Sequence, residues 1–194
     1  MPAQGAAHGS LNGRKDGMIN TMLGEISADR LGRCLMHEHF LYGYCGYQGD
    51  ATLGAFDEEA AYKICMEATD TAKSYGIKTV VDATANECGR NVHFLKRISE
   101  ASGLNIICST GFYFEDESAY AYWKFRSSFA DITKEIEEMM TTEVSVGIEG
   151  SGIKAGVIKL GSSKGRITPM EECFFKAAAR PQKNTGCVII THTQ

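Results

Sequence analysis

No run of 18 apolar residues occurs in the chain, so no transmembrane helix is expected. Residues 1–17 lack the apolar core of a signal peptide and read as a flexible leader, with His8 solvated in it. No stretch carries five consecutive basic residues and the net charge is −4, which argues against a nucleic-acid partner or an anionic membrane surface. The seven cysteines are odd in number and contain no C-x-x-C pair. That disfavours a disulfide framework or a zinc knuckle, and fits small buried thiols in a reducing, cytoplasmic compartment. No G-x-G-x-x-G is present. Gly156 and Gly161 have the spacing of a phosphate loop, but Ser162 stands where that loop requires a lysine.

What is present suits one globular domain, residues 18–194, with a sizeable core: 43% of the 194 residues are hydrophobic and 23% charged. Met18 to Gly32 reads as a hairpin turning at Leu23-Gly24-Glu25, followed by a strand from Arg33 to His39. Tyr42 to Gly54, with its glycines and tyrosines, is a loop placed either for substrate or simply for packing. Asp57 to Tyr75 is a helix with the apolar stripe Ala60, Ile64, Ala68 and Ala72. Ile77 to Thr84 is a β-branched strand. Gly89 to Ser102 is a second helix burying Val92, Leu95 and Ile98, with His93 on its surface. Asn105 to Tyr113 is a strand, Phe114 to Phe129 a loop with one helical turn, and Ala130 to Gly147 a third helix. Ile153 to Leu160 is the fourth core strand. Thr168-Pro169-Met170-Glu171 starts a fourth helix that turns Cys173, Phe174, Ala177 and Ala178 inward, and Pro181 should kink it or end it at Arg180. Cys187 to Thr193 is the fifth strand.

Alternating strands and helices demand a parallel sheet with helical crossovers. Two architectures compete, a doubly wound sheet and part of a (β/α)8 barrel. In both, chemistry gathers at the C-terminal ends of the strands. His37 and His39 close the first strand, and alternation would send both to one face with Met36 and Glu38 on the other. Their side chains then sit roughly 6.5 Å apart, close enough to share a metal centre. Lys159 lies near the end of an otherwise apolar strand. It either caps the strand into solvent or points inward; a buried lysine loses its proton more readily and reacts with carbon dioxide to give a metal-bridging carbamate. His192, after Val188-Ile189-Ile190, is either a ligand or a hydrogen-bonded strand-end histidine.

In order and spacing, Leu35-Met36-His37-Glu38-His39, Ser109-Thr110-Gly111-Phe112-Tyr113-Phe114, the segment Gly147 to Lys159, Gly165-Arg166-Ile167-Thr168-Pro169 and Thr191-His192-Thr193 resemble the phosphotriesterase family of the amidohydrolase superfamily. The resemblance implies a TIM (β/α)8 barrel of the metal-dependent hydrolase type, present as its N-terminal five strands and four helices. It implies two divalent metal ions, zinc first, with manganese, cobalt and iron as alternatives. His37 and His39 would hold the more buried ion, carboxylated Lys159 would bridge both and serve as the catalytic group, and His192 would hold the second. A bridging hydroxide would attack a phosphoryl or carbonyl centre of a small-molecule ester or lactone. Tyr113 matches a pocket-lining aromatic position, and a tyrosine there looks more like the lactonase-type members. The family's sixth-strand histidine and eighth-strand aspartate have no counterpart here. The expectation is therefore a partial barrel of a cytoplasmic hydrolase, weakly active or inactive by itself, with the first and fifth strands as open edges. The alternatives are a fragment that self-associates, a homodimer included, or joins a missing half, and a doubly wound binding domain with incidental histidines.

Overall fold

A computed structural model describes residues 17–118 and 120–194. The leader expected at 1–17, His8 included, lies outside the described residues except for Gly17. The chain opens with an antiparallel hairpin, β1 (Met18–Thr21) and β2 (Gly24–Ser27). Then follow β3 (Arg33–Glu38), α1 (Glu58–Ser74), β4 (Ile77–Asp82), α2 (Val92–Ser102), β5 (Asn105–Gly111), α3 (Tyr120–Arg126), α4 (Ile132–Ser145), β6 (Val157–Ser162), α5 (Pro169–Thr185) and β7 (Val188–Thr193).

The five later strands form one parallel sheet in the order β3-β4-β5-β6-β7. Each strand lies beside the next in sequence. A doubly wound sheet would reverse its order at a central strand, so that alternative is excluded. The sheet curls as a half-barrel with helices on its outer face. That outer face packs Val80, Ile106, Cys108, Ile158 and Leu160 against the helices, among them Ile98, Ile136, Met140 and Phe174. The inner face carries a smaller cluster of Val81, Ile107 and Val157, with Ile19, Leu31, Cys34 and Ile190 around it. Among the described residues, β3 and β7 pair on one side only.

Local sequence explains most helix starts. Asp57 accepts from Ala60 N at 2.9 Å and Asn91 from Phe94 N at 3.0 Å, satisfying first-turn donors of α1 and α2. At α5, Glu171 N reaches Thr168 Oγ1 at 3.2 Å while Thr168 N reaches Glu171 Oε2 at 2.8 Å, the reciprocal capping box the sequence predicts. The other Glu171 oxygen accepts from Glu115 N and Ser163 N, each at 2.9 Å, and so ties the loop after β5 to the loop after β6.

Several expectations are corrected. The inward stripe of α1 runs through Cys65 and Thr69, whereas Ala60 and Ala68 are exposed and Ile64 is 66% exposed. Residues 114–129 contain a short 3-10 turn (Glu115–Glu117) and a whole extra helix, α3, making five α-helices among the described residues rather than four. It is held by Tyr120, whose hydroxyl donates to Tyr113 O at 2.5 Å, and by Trp123 edge-on to Phe112 at 5.6 Å. The strand expected from Ile153 begins at Val157, because Ile148 N bonds Ile153 O at 2.8 Å and closes a loop first. Pro181 does not stop α5. One backbone donor is lost there, but Phe174, Ala177, Ala178 and Pro181 bury one face of the helix, and Thr185 Oγ1 caps the Pro181 carbonyl at 2.6 Å.

Candidate metal centre

At the C-terminal ends of the strands, His37, His39, Lys159 and His192 come together on the inner face. Lys159 Nζ lies 2.7 Å from His37 Nε2. The His37 ring is 5.7 Å from that of His39 and 6.5 Å from that of His192. The structure thus gathers all four metal-capable residues singled out from sequence, and it resolves one open choice. Lys159 sits inside β6 rather than capping it, and its side chain is 1% exposed. His192, at the far strand, turns into the same group.

The histidine pair shares a face as alternation expects, but Met36 is not on the opposite one. Between the partners Leu35/Val80 and Glu38/Asp82 the register slips, with β3 advancing one residue more than β4. Met36 consequently lines the inner hollow with Cys34, Val81, Ile107 and Val157 rather than facing away from it. The bulge re-aims the chain so that His37 and His39 face inward as well.

Hydrogen bonds orient the ligand atoms. The Thr84 hydroxyl donates its single hydrogen to Leu41 O at 3.0 Å, so it can only accept from His39 Nδ1 at 2.9 Å. His39 therefore carries its proton on Nδ1 and leaves Nε2 with a bare lone pair, the form in which imidazole binds metals. Tyr113 OH lies 3.3 Å from His192 Nε2, and the Phe114 ring stacks on the His192 ring at 5.6 Å. Thr84, Phe114 and Tyr42 were not singled out from sequence. Tyr42 packs edge-on to His39 at 5.2 Å and to Tyr113 at 6.2 Å, which gives the loop after β3 a definite place at the site.

Burial, together with the nearby Lys159, His37 and His192, pushes His39 down to about 4. His37 is lowered by burial and then by Lys159 and His192. Burial also brings Lys159 down to about 8. Among the described residues Lys159 pairs with no carboxylate, and its contact is a histidine nitrogen. At neutral pH His39 is therefore uncharged and a share of Lys159 is a free amine. Three imidazoles around an amine that can be carboxylated form a donor set suited to divalent cations of the zinc type. No helix among the described residues is long and apolar enough to cross a membrane.

The sequence model of the phosphotriesterase family matches residues 17–194. The chain is 34% identical over 169 residues to the phosphotriesterase homology protein of Escherichia coli, covering 87% of this chain and 54% of that protein. It is 33% identical over 194 residues to a phospho-furanose lactonase of Mycoplasmopsis agalactiae, covering 93% of this chain and 53% of that one. The solved organophosphorus hydrolase of Deinococcus radiodurans superimposes with a TM-score of 0.90 at 53% identity, over 96% of this chain and 56% of its own. The chain thus spans about half the length of the relatives it matches. With the family match over nearly its whole length and this fold, the chain belongs to the phosphotriesterase family.

Proposed function

We propose that this chain supplies the lysine and three of the histidines of a binuclear metal centre that hydrolyses ester bonds in small molecules. The observation that carries the reading is the 2.7 Å approach of a buried, carboxylate-free Lys159 Nζ to His37 Nε2. The family's known dependence on two metal ions supports it.

In this reading the Lys159 amine attacks the carbon of carbon dioxide and releases one proton, leaving a carbamate that would serve as a ligand shared by the two metal ions. His37 and His39 would hold one ion and His192 the other. When bound, such a pair acidifies a water molecule and polarises the ester it attacks. Thr84 fixes the His39 tautomer throughout. Tyr113 and Tyr42 wall the site with flat, partly apolar surface suited to the ring of a lactone. The names of the relatives, phospho-furanose lactonase and organophosphorus hydrolase, span carbonyl and phosphoryl esters, and the resemblance of Tyr113 to the lactonase-type members points to the lactone.

The test combines metal analysis, carbon-13 NMR after exposure to labelled bicarbonate, and a lactone assay. The expected result is a carbamate resonance and bound zinc, both absent in Lys159→Met. A zinc-loaded chain with no carbamate signal defeats the reading.

A further inference from the structure

A second group of metal-capable side chains lies outside the centre just described. Cys45 sits in the loop after β3, and Glu87 and Cys88 in the loop after β4. The two thiol sulfurs and a carboxylate oxygen of Glu87 all lie within 4.8 Å of one another. A tetrahedral zinc ion with sulfur ligands at about 2.3 Å spaces them about 3.8 Å apart, so a contraction of roughly 1 Å at most closes the group around an ion. We propose that Cys45, Glu87 and Cys88 form a separate, thiolate-rich site for a single borderline-soft divalent cation, zinc above all, that clamps the loops after β3 and β4 together.

A second observation points the same way. Glu87 Oε1 is fully used, accepting from Tyr113 N at 2.8 Å and from the Ser118 hydroxyl. Glu87 Oε2 is buried and makes no hydrogen bond among the described residues. A buried carboxylate oxygen without a donor is costly, and a cation removes the cost. Cys88 is wholly buried, and burial, with Glu87 and Cys45 beside it, drives its thiol up to about 12. A dication reverses that balance, because coordination expels the thiol protons and the released charge is neutralised in place. Two thiolates and one carboxylate bring three negative charges to a dication, whereas the lysine centre's carbamate would bring one. The chemistry of the donors differs too: sulfur here, imidazole nitrogen and carbamate oxygen there.

The clamp bears on the first site through geometry. Tyr42, three residues before Cys45, hydrogen-bonds Cys88 and stacks edge-on to His39. Glu87 holds the backbone of Tyr113. Fixing Cys45 to Cys88 therefore fixes both tyrosines that wall the candidate centre. The inference does not require that centre to be catalytic.

Cobalt titration of the metal-free, fully reduced 194-residue chain tests it. Thiolate ligands give cobalt an intense near-ultraviolet charge-transfer absorption, which histidine and carbamate ligands do not. The expected result is that band at one equivalent per chain. It should survive Lys159→Met and vanish in Cys45→Ser. Should the serine variant misfold, zinc protection of the unmodified chain from iodoacetamide, mapped by peptide mass, replaces it; Cys45 and Cys88 should be shielded together. Absence of the band at saturating cobalt in a natively folded chain overturns the proposal. So does a band that persists in Cys45→Ser, or alkylation of Cys45 unchanged by zinc.

Discussion

Lys159 Nζ and His37 Nε2 stand 2.7 Å apart, on strands 122 residues distant in sequence, with the lysine 1% exposed. The metal-free chain must hold this amine in a site that disfavours its charge. Its folded pKa of about 8 lies below the 10.5 of a free lysine, so between those values the unfolded chain binds the extra proton and stability rises with pH. The penalty is complete below pH 8 and amounts to roughly 3 kcal/mol, from the usual conversion of pKa differences. His39 adds a second window. Its folded value of about 4 lies below 6.5, so stability is lost as pH falls between them. Urea midpoints of the chelator-treated chain in carbon dioxide-free buffer should climb from pH 4 to 6.5. From 8 to 10.5 the buried thiols Cys88 and Cys108, raised to about 12, pull stability down, and Lys159 opposes them, so Lys159→Met should lose stability more steeply with pH there and keep the acidic climb. An identical alkaline slope in both proteins rules this out.

Thr84 sets which nitrogen of His39 is bare, since its hydroxyl hydrogen is committed to Leu41 O. Thr84→Val keeps the shape and removes the acceptor. Zinc affinity should fall about 10- to 100-fold, as is usual when the partner of a ligand histidine is lost. Thr84→Ser should restore it. Chelator competition gives the numbers, and equal affinity in Val and Thr forms contradicts the assigned role.

Gly111 ends β5 with φ +121, and a Cβ there would overlap the Lys159 carbonyl oxygen, which already accepts from Phe112 N at 2.9 Å. Gly111→Ala should push β5 and β6 apart at the lysine and cost at least about 2 kcal/mol, combining backbone strain with the clash. Thermal unfolding measures it. An unchanged midpoint shows that the two backbones part freely.

Much of this centre is legible in sequence because strand-end residues of a parallel sheet converge whatever their separation along the chain. His37, His39, Lys159 and His192 each follow a short apolar run, and each lands on the inner face. What fails to show is whatever depends on a one-residue shift or on two loops meeting. The bulge beside Met36 leaves no composition signal, because methionine suits either face of a strand. The α1 stripe was misplaced since alanines flank both sides of the true face, and Ile64 outweighed Cys65 and Thr69 on hydrophobicity alone. Pro181 read as a helix end because the breaker rule sees the lost donor and not the buried face around it. Thr84 and His39 are 45 positions apart and Cys45 and Glu87 are 42 apart, and no short-range spacing rule reaches that far.

The open edges of the sheet lead to the last prediction. Among the described residues β3 and β7 each leave one row of backbone donors and acceptors unpaired. Beside these edges Met36 and Val188 are each 57% exposed, and both line the apolar hollow on the inner face. An unpaired parallel edge with apolar side chains beside it is a template for a further strand, and a second copy of the chain presents the same template. The 21.1 kDa chain should therefore self-associate as its concentration rises. Val188→Lys, which puts a charge on the edge without entering the candidate centre, should shift the equilibrium towards monomer. Sedimentation measures both. A chain that stays monomeric across the accessible concentration range shows that the edges are shielded by their own twist and flanking loops. If Val188→Lys associates as strongly as the unmodified chain, the contact lies on some other surface.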